Sequence, residues 1–312
     1  MGLWMDEIKT VAGEFHIPPN QIPDLLPQHL MMLKAAMAAI KDAGIAPRPG
    51  KDQSPRTRFG AVMGIDFDHG ATDFHLGWQQ SHRAKNTSMV PPPHPPDGHA
   101  LQFAPLTANR TLGALGGIVA SRIAREFQLG GPCFTLSADA ASGIKAIEVG
   151  INSIKSGETD VFLCGAVDMA GDLRQDLLAR CLDNDTNTPG GSLETMNQKF
   201  GNKTPDTTQI PPASEGSAAV VLKSLKKALA DGDRIYSVIT ASAGSSGGEL
   251  AAENPSTIPM LENAYNTSLE TALNQSRLSF SDIDFHMGPG HGIGCALTAR
   301  TVKKHHESRE KS

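Results

Sequence analysis

The stretch GGPCFTLSADAASGIKAIEVGINSIKSGETDVFLCGAVD, residues 130–168, decides the fold. Gly130-Gly131-Pro132 stops any preceding helix, because glycine loosens the backbone and proline removes a donor. Residues 133–137 then read as a strand. Ile144, Ile147, Ile151 and Ile154 recur at steps of three and four, which lays one apolar stripe along a helix that Gly157 closes. VFLCGAV, residues 161–167, is a second buried strand. The unit is strand, small-residue turn, helix, strand. A side chain on that turn stands at a helix amino terminus, where unpaired backbone N–H groups favour negative charge. Nucleophile elbows use this geometry to expose one side chain and stabilise its anion. A plain strand-to-helix turn uses it too, and spacing alone favours the plain turn.

The same beat runs outward in both directions. Residues 30–43 read as a helix with apolar positions at Leu30, Leu33, Ala36, Met37 and Ile40, ended by Gly44. FGAVMGI, 59–65, reads as a buried strand; 78–105, centred on PPPHPPDG, as loop; and 112–127 as a helix. Beyond the central stretch come strand 218–222, helix 225–230, strand 234–241, a helix near 258–273 and strand 283–287. Alternating buried strands and helices predict an α/β fold with helices on both faces of the sheet. The tail from Arg300 is polar and basic without apolar period, as expected of a frayed end.

Composition narrows the classes of function. The chain has 312 residues, 39% hydrophobic and 20% charged, enough for one large domain or two modest ones. A net charge of −5 leaves no electrostatic footprint for nucleic acid. The start, MGLWMDEIKTV, has neither the basic nor the apolar segment of a secretory signal, and Asp6 stands where a myristoylation motif needs Ser or Thr. No segment is apolar for long enough to span a bilayer. Cys133, Cys164, Cys181 and Cys295 form no close-spaced pair, so reduced thiols and a cytoplasmic location are expected.

The central stretch resembles the active-site region of the β-ketoacyl synthases. That pattern runs Gly-Pro-Ser, then Thr-Val-Asp-Thr-Ala-Cys-Ser-Ser, a helix, and a Gly-Gly-Val-Asn strand end. Gly131, Pro132, Thr135, Ser142, Ala146, Gly157, Asp160, Gly165 and Val167 fall on matching positions. Three further blocks agree in order. Residues 15–45 are similar to the family's Pro-Pro, Asp-Pro-Gln-Gln and long helix ending Asp-Ala-Gly; 214–239 to its Gly-Glu-Gly-Ala-Gly strand and Asp-Gly-Asp turn; and 281–294 to its Glu-Ala-His-Gly-Thr-Gly-Thr segment. The wording, GALGGIVASRIAREF included, is closest to condensing subunits of polyunsaturated-fatty-acid and polyketide synthases.

The resemblance implies a thiolase-like, layered α-β-α-β-α fold of two similar halves, usually dimeric. Residues 1–225 form the amino-terminal-like half, complete in outline; 226–299 form a partial, truncated carboxy-terminal-like half; and 300–312 are the polar tail. The strand 161–167 is expected near the dimer interface. The departures carry the functional reading. Ala140, preceded by Asp139, falls on the nucleophilic cysteine. Pro289 falls on the first histidine, and His291 lies two residues later, on a threonine position. The second histidine, the phenylalanine-gated loop beyond it, and the opening strand and glycine turn have no counterpart. Condensation needs a thiolate to hold the chain and imidazoles to stabilise the enolate left by CO₂ loss. No catalytic set is therefore intact, with Asp139, Ser142 and His291 the candidates by proximity.

A non-condensing, chain-length-factor-like partner of an active ketosynthase follows, with an acyl carrier protein and a ketosynthase subunit as partners, in a homo- or heterodimer, without cofactor, metal, nucleic acid or membrane span. The alternatives are a truncated remnant of a synthase and an acyl-processing enzyme of altered chemistry.

Weaker signals read as structure. Gly244-Ser245-Ser246-Gly247-Gly248 matches G-x-S-x-G, but 249–255 is loop-like where a helix must begin. His291 and Cys295 lack a third and fourth metal ligand. His305-His306 sits in the polar tail. Gly113, Gly116 and Gly117 permit close helix packing and make no dinucleotide fingerprint. Cys133 belongs to the core. Asp139 and Ser142 read as helix caps before they read as catalysts.

Overall fold

In the computed structural model, which describes residues 7–11, 13–50, 56–65, 107–113, 115–138, 141–169, 215–247 and 257–286, Pro27 opens the first long helix, α1 (Pro27–Asp42). Proline suits that position because the first N–H of a helix has no partner anyway. Leu30, Leu33, Ala36 and Ile40 are buried, as their spacing requires. Gly44, at φ 69°, turns the chain out of the helix, and the Ile45 N–H then donates to the Ile40 carbonyl at 3.1 Å.

Four strands form one sheet in the order β2-β1-β3-β4: β1 (Phe59–Ile65), β2 (Cys133–Leu136), β3 (Val161–Met169) and β4 (Glu215–Lys223). β1 is parallel to β2 and to β3, and β4 is antiparallel to β3. The helices between them are α2 (Ala108–Gly113), α3 (Val119–Phe127) and α4 (Ser142–Lys155), and α5 (Leu225–Asp231) follows β4. A 3-10 turn, Gly116–Ile118, leads into α3.

Strand alternation sends side chains to two cores. Phe59, Ala61, Met63, Leu163 and Val167 meet α1 and α3 in the larger one. Val62, Phe162 and Cys164 pack with Ala146 of α4 in the smaller one. β1 is buried along nearly its whole length because helices cover both faces, so its sequence is continuously apolar. Gly165 is required in the larger core: a Cβ there would stand 2.6 Å from Met32 Cε and 2.8 Å from Met63 Sδ. This is the α/β arrangement with helices on both faces that the sequence predicts.

The chain divides into two units. Leu3–Asp172 with Ser214–Ile235 hold the sheet, and the other unit includes Tyr236–Ser312. In the latter, α6 (Thr257–Ser276) precedes a 3-10 turn, Phe280–Asp282, closed by a capping box between Ser279 and Asp282. No helix among the described residues is long and apolar enough to cross a membrane.

Three expectations need correction. The strand expected at 234–241 is absent, and residues 233–247 form no regular element. Its β-branched and aromatic content expresses a fit to a pleated surface, and without a ladder that content makes no strand. The described part of 283–287 likewise holds no strand. The helix expected over 112–127 is α2, the 3-10 turn and α3 in succession, because Gly116 and Gly117 interrupt it. β3 lies inside the sheet, with β1 and β4 on its two edges.

Candidate functional site

The parallel strands β1 and β2 end side by side, with Gly64 opposite Leu136. From Leu136 the chain makes a tight turn, in which the Ala141 N–H donates to the Ala138 carbonyl at 3.1 Å, and α4 begins at once. The first turn of α4 lies hard against the sheet. A Cβ on Gly64 would stand 2.7 Å from the Ser142 carbonyl carbon, and one on Gly143 would stand 3.2 Å from Ala166 Cβ. Small residues at Gly64, Ala141, Ser142 and Gly143 are what this approach demands. The result is a helix amino terminus held at the carboxyl ends of parallel strands, with its first N–H groups available to negative charge.

Ser142 is the one sequence-predicted site residue whose side chain is described here. It is buried, and its hydroxyl is committed twice: Oγ accepts from the Ala138 N–H at 2.9 Å and donates to the Ile65 carbonyl at 3.3 Å. This corrects the capping reading. The N-cap of α4 is Ala141, which has no side-chain cap, and Ser142, the first helical residue, reaches backward to tie the turn to the end of β1. A hydroxyl so held is a positioning group and a poor nucleophile. Asp139, Ala140, Pro289 and His291 lie outside the described residues.

Ser142→Ala should cost about 1–2 kcal/mol, since it leaves a part-buried N–H and carbonyl without this partner. Urea unfolding measures it, and an unchanged midpoint would show that the backbone alone holds the turn.

Neither described cysteine substitutes for a nucleophile on the turn. Cys133 packs at the rim of the larger core, on the face of the sheet away from α4, and burial pushes its thiol up against a smaller opposing pull from the Ala61 backbone. Cys164 is buried in the smaller core, donates to the Ala146 carbonyl at 3.2 Å, and is pushed up by burial to about 12. Both stay protonated and inert near neutral pH. Cys181 and Cys295 lie outside the described residues.

The described part of the G-x-S-x-G spacing, residues 244–247, falls on irregular chain without the preceding strand that an elbow needs. No group of three or more His, Cys, Asp or Glu among the described residues is arranged to hold a metal. Sequence reasoning missed Gly64 and Ile65, which shape the site from β1. Their signal was the glycine near the end of FGAVMGI.

Residues 1–228 match the model of the family described as Beta-ketoacyl synthase, N-terminal domain. The chain is 26% identical over 295 residues to a probable polyketide synthase of Dictyostelium discoideum, covering 93% of this chain and 8% of that protein. It is 28% identical over 252 residues to the 6-methylsalicylic acid synthase of Aspergillus niger, covering 80% and 12%. Among solved structures, a β-ketoacyl synthase from Burkholderia phymatum superposes with a TM-score of 0.64 at 16% identity, over 97% of this chain and 66% of that one. The oxazolomycin ketosynthase domain from Streptomyces albus superposes with a TM-score of 0.57 at 17% identity, over 96% and 60%. These likenesses show a thiolase-like fold, of which the chain spans less than two thirds.

Proposed function

The chain belongs to the β-ketoacyl synthase family, and from that premise we propose that it is a non-condensing member, which pairs with an active ketosynthase and shapes the path of the acyl chain as chain-length factors do. One observation carries the reading. The helix amino terminus that would activate a nucleophile is preceded in sequence by Ala140, and an alanine methyl takes no acyl group. Ser142 beside it is engaged by Ala138 and Ile65, and Cys133 and Cys164 sit in cores. Pro289 at the family's first histidine position adds a second lost group. A helix amino terminus stands at the strand ends while alanine occupies the position that would carry the chemistry, as expected of a subunit retained for shape.

The proposal includes an acyl carrier protein and a ketosynthase subunit as partners, a cytoplasmic location, and a division at 1–225, 226–299 and 300–312. The purified protein, offered acyl-carrier substrates or the ketosynthase inhibitor cerulenin, should show no adduct in its intact mass. A stoichiometric adduct mapped to residues 137–144 would overturn the reading.

Association in homo- or heterodimers is part of the same proposal. β2 has β1 as its sheet neighbour and stands at an edge of the described sheet, with Phe134 43% exposed. Strand edges recruit other strands. Sedimentation should therefore show dimers, and a monodisperse monomer at micromolar concentration would count against this part.

A further inference from the structure

We draw no further inference here: the strongest candidate, the apolar strip of β4 on the α4 face of the sheet, where Val220 stands 43% exposed opposite Cys164, carries nothing because nothing among the described residues shows what covers it.

Discussion

Ala140→Cys should convert a chain that takes no acyl group into one that loads an acyl chain stoichiometrically, while ketoacyl product stays absent. The substitution puts a thiol just before the Ala141 N-cap of α4, a helix of fourteen residues whose first N–H groups favour an anion. A thiol at such an end has its pKa lowered and becomes a better nucleophile. It attacks the thioester carbonyl, the new carbon–sulfur bond forms, and the carrier thiol leaves with the proton. Condensation demands more. The enolate formed as CO₂ departs needs imidazole donors, and in the proposed reading Pro289 takes the place of the first. Mass spectrometry reads the loading, and chromatography of a malonyl-carrier incubation reads the product. No adduct at all would mean that the turn is not built for an anion. Ketoacyl product from the single variant would mean that another histidine, His291 foremost, supplies the missing donor.

Glu126→Ala should be the most damaging single change to stability among the polar residues, at about 2–3 kcal/mol. The carboxylate is 3% exposed and gathers three segments: α3, the His16 stretch before α1, and the Arg48 loop after it. Its oxygens accept from the His16 N–H at 2.7 Å and from Arg48 at 3.1 Å (Nε) and 2.6 Å (Nη2). Removing it releases Arg48 and His16, which regain water because both side chains are more than a third exposed, so the loss falls below that of a wholly buried pair. The Glu14–Lys34 ion pair offers the contrast. Both of its members are partly exposed, and Glu14→Ala should cost well under about 1 kcal/mol. Urea unfolding of the two variants side by side measures the difference. Equal small losses would show that the Glu126 cluster is ordinary surface electrostatics.

Much of the fold was legible because the pattern that writes it is local. The isoleucine stripe of α4, the unbroken apolar run of β1 and the closing Gly44 and Gly157 each follow from periods of 3.6 and 2 and from the conformations open to glycine. The segment 234–241 was misread for the same reason. Its residues favour a pleated surface, but a strand exists only when another strand accepts its hydrogen bonds, and that partner is not written in the segment itself. The position of β3 inside the sheet was also hidden. Sheet order depends on which strands the crossovers bring together, and the pattern within a strand is silent on it.

The chemistry divides in the same way. The sequence by itself determined that position 140 holds alanine and position 289 holds proline, since these are facts of covalent structure that no packing alters. It also determined the strand–turn–helix unit that carries the turn, through residues within one helical turn of each other. Only the tertiary structure decided what Ser142 does, because its two partners, Ala138 and Ile65, lie four and seventy-seven residues away and meet only when β1 ends beside β2. The same holds for Glu126, whose partner Arg48 is 78 residues distant. Local propensity is read along the chain, whereas burial and hydrogen-bond satisfaction belong to groups that folding brings together from far apart.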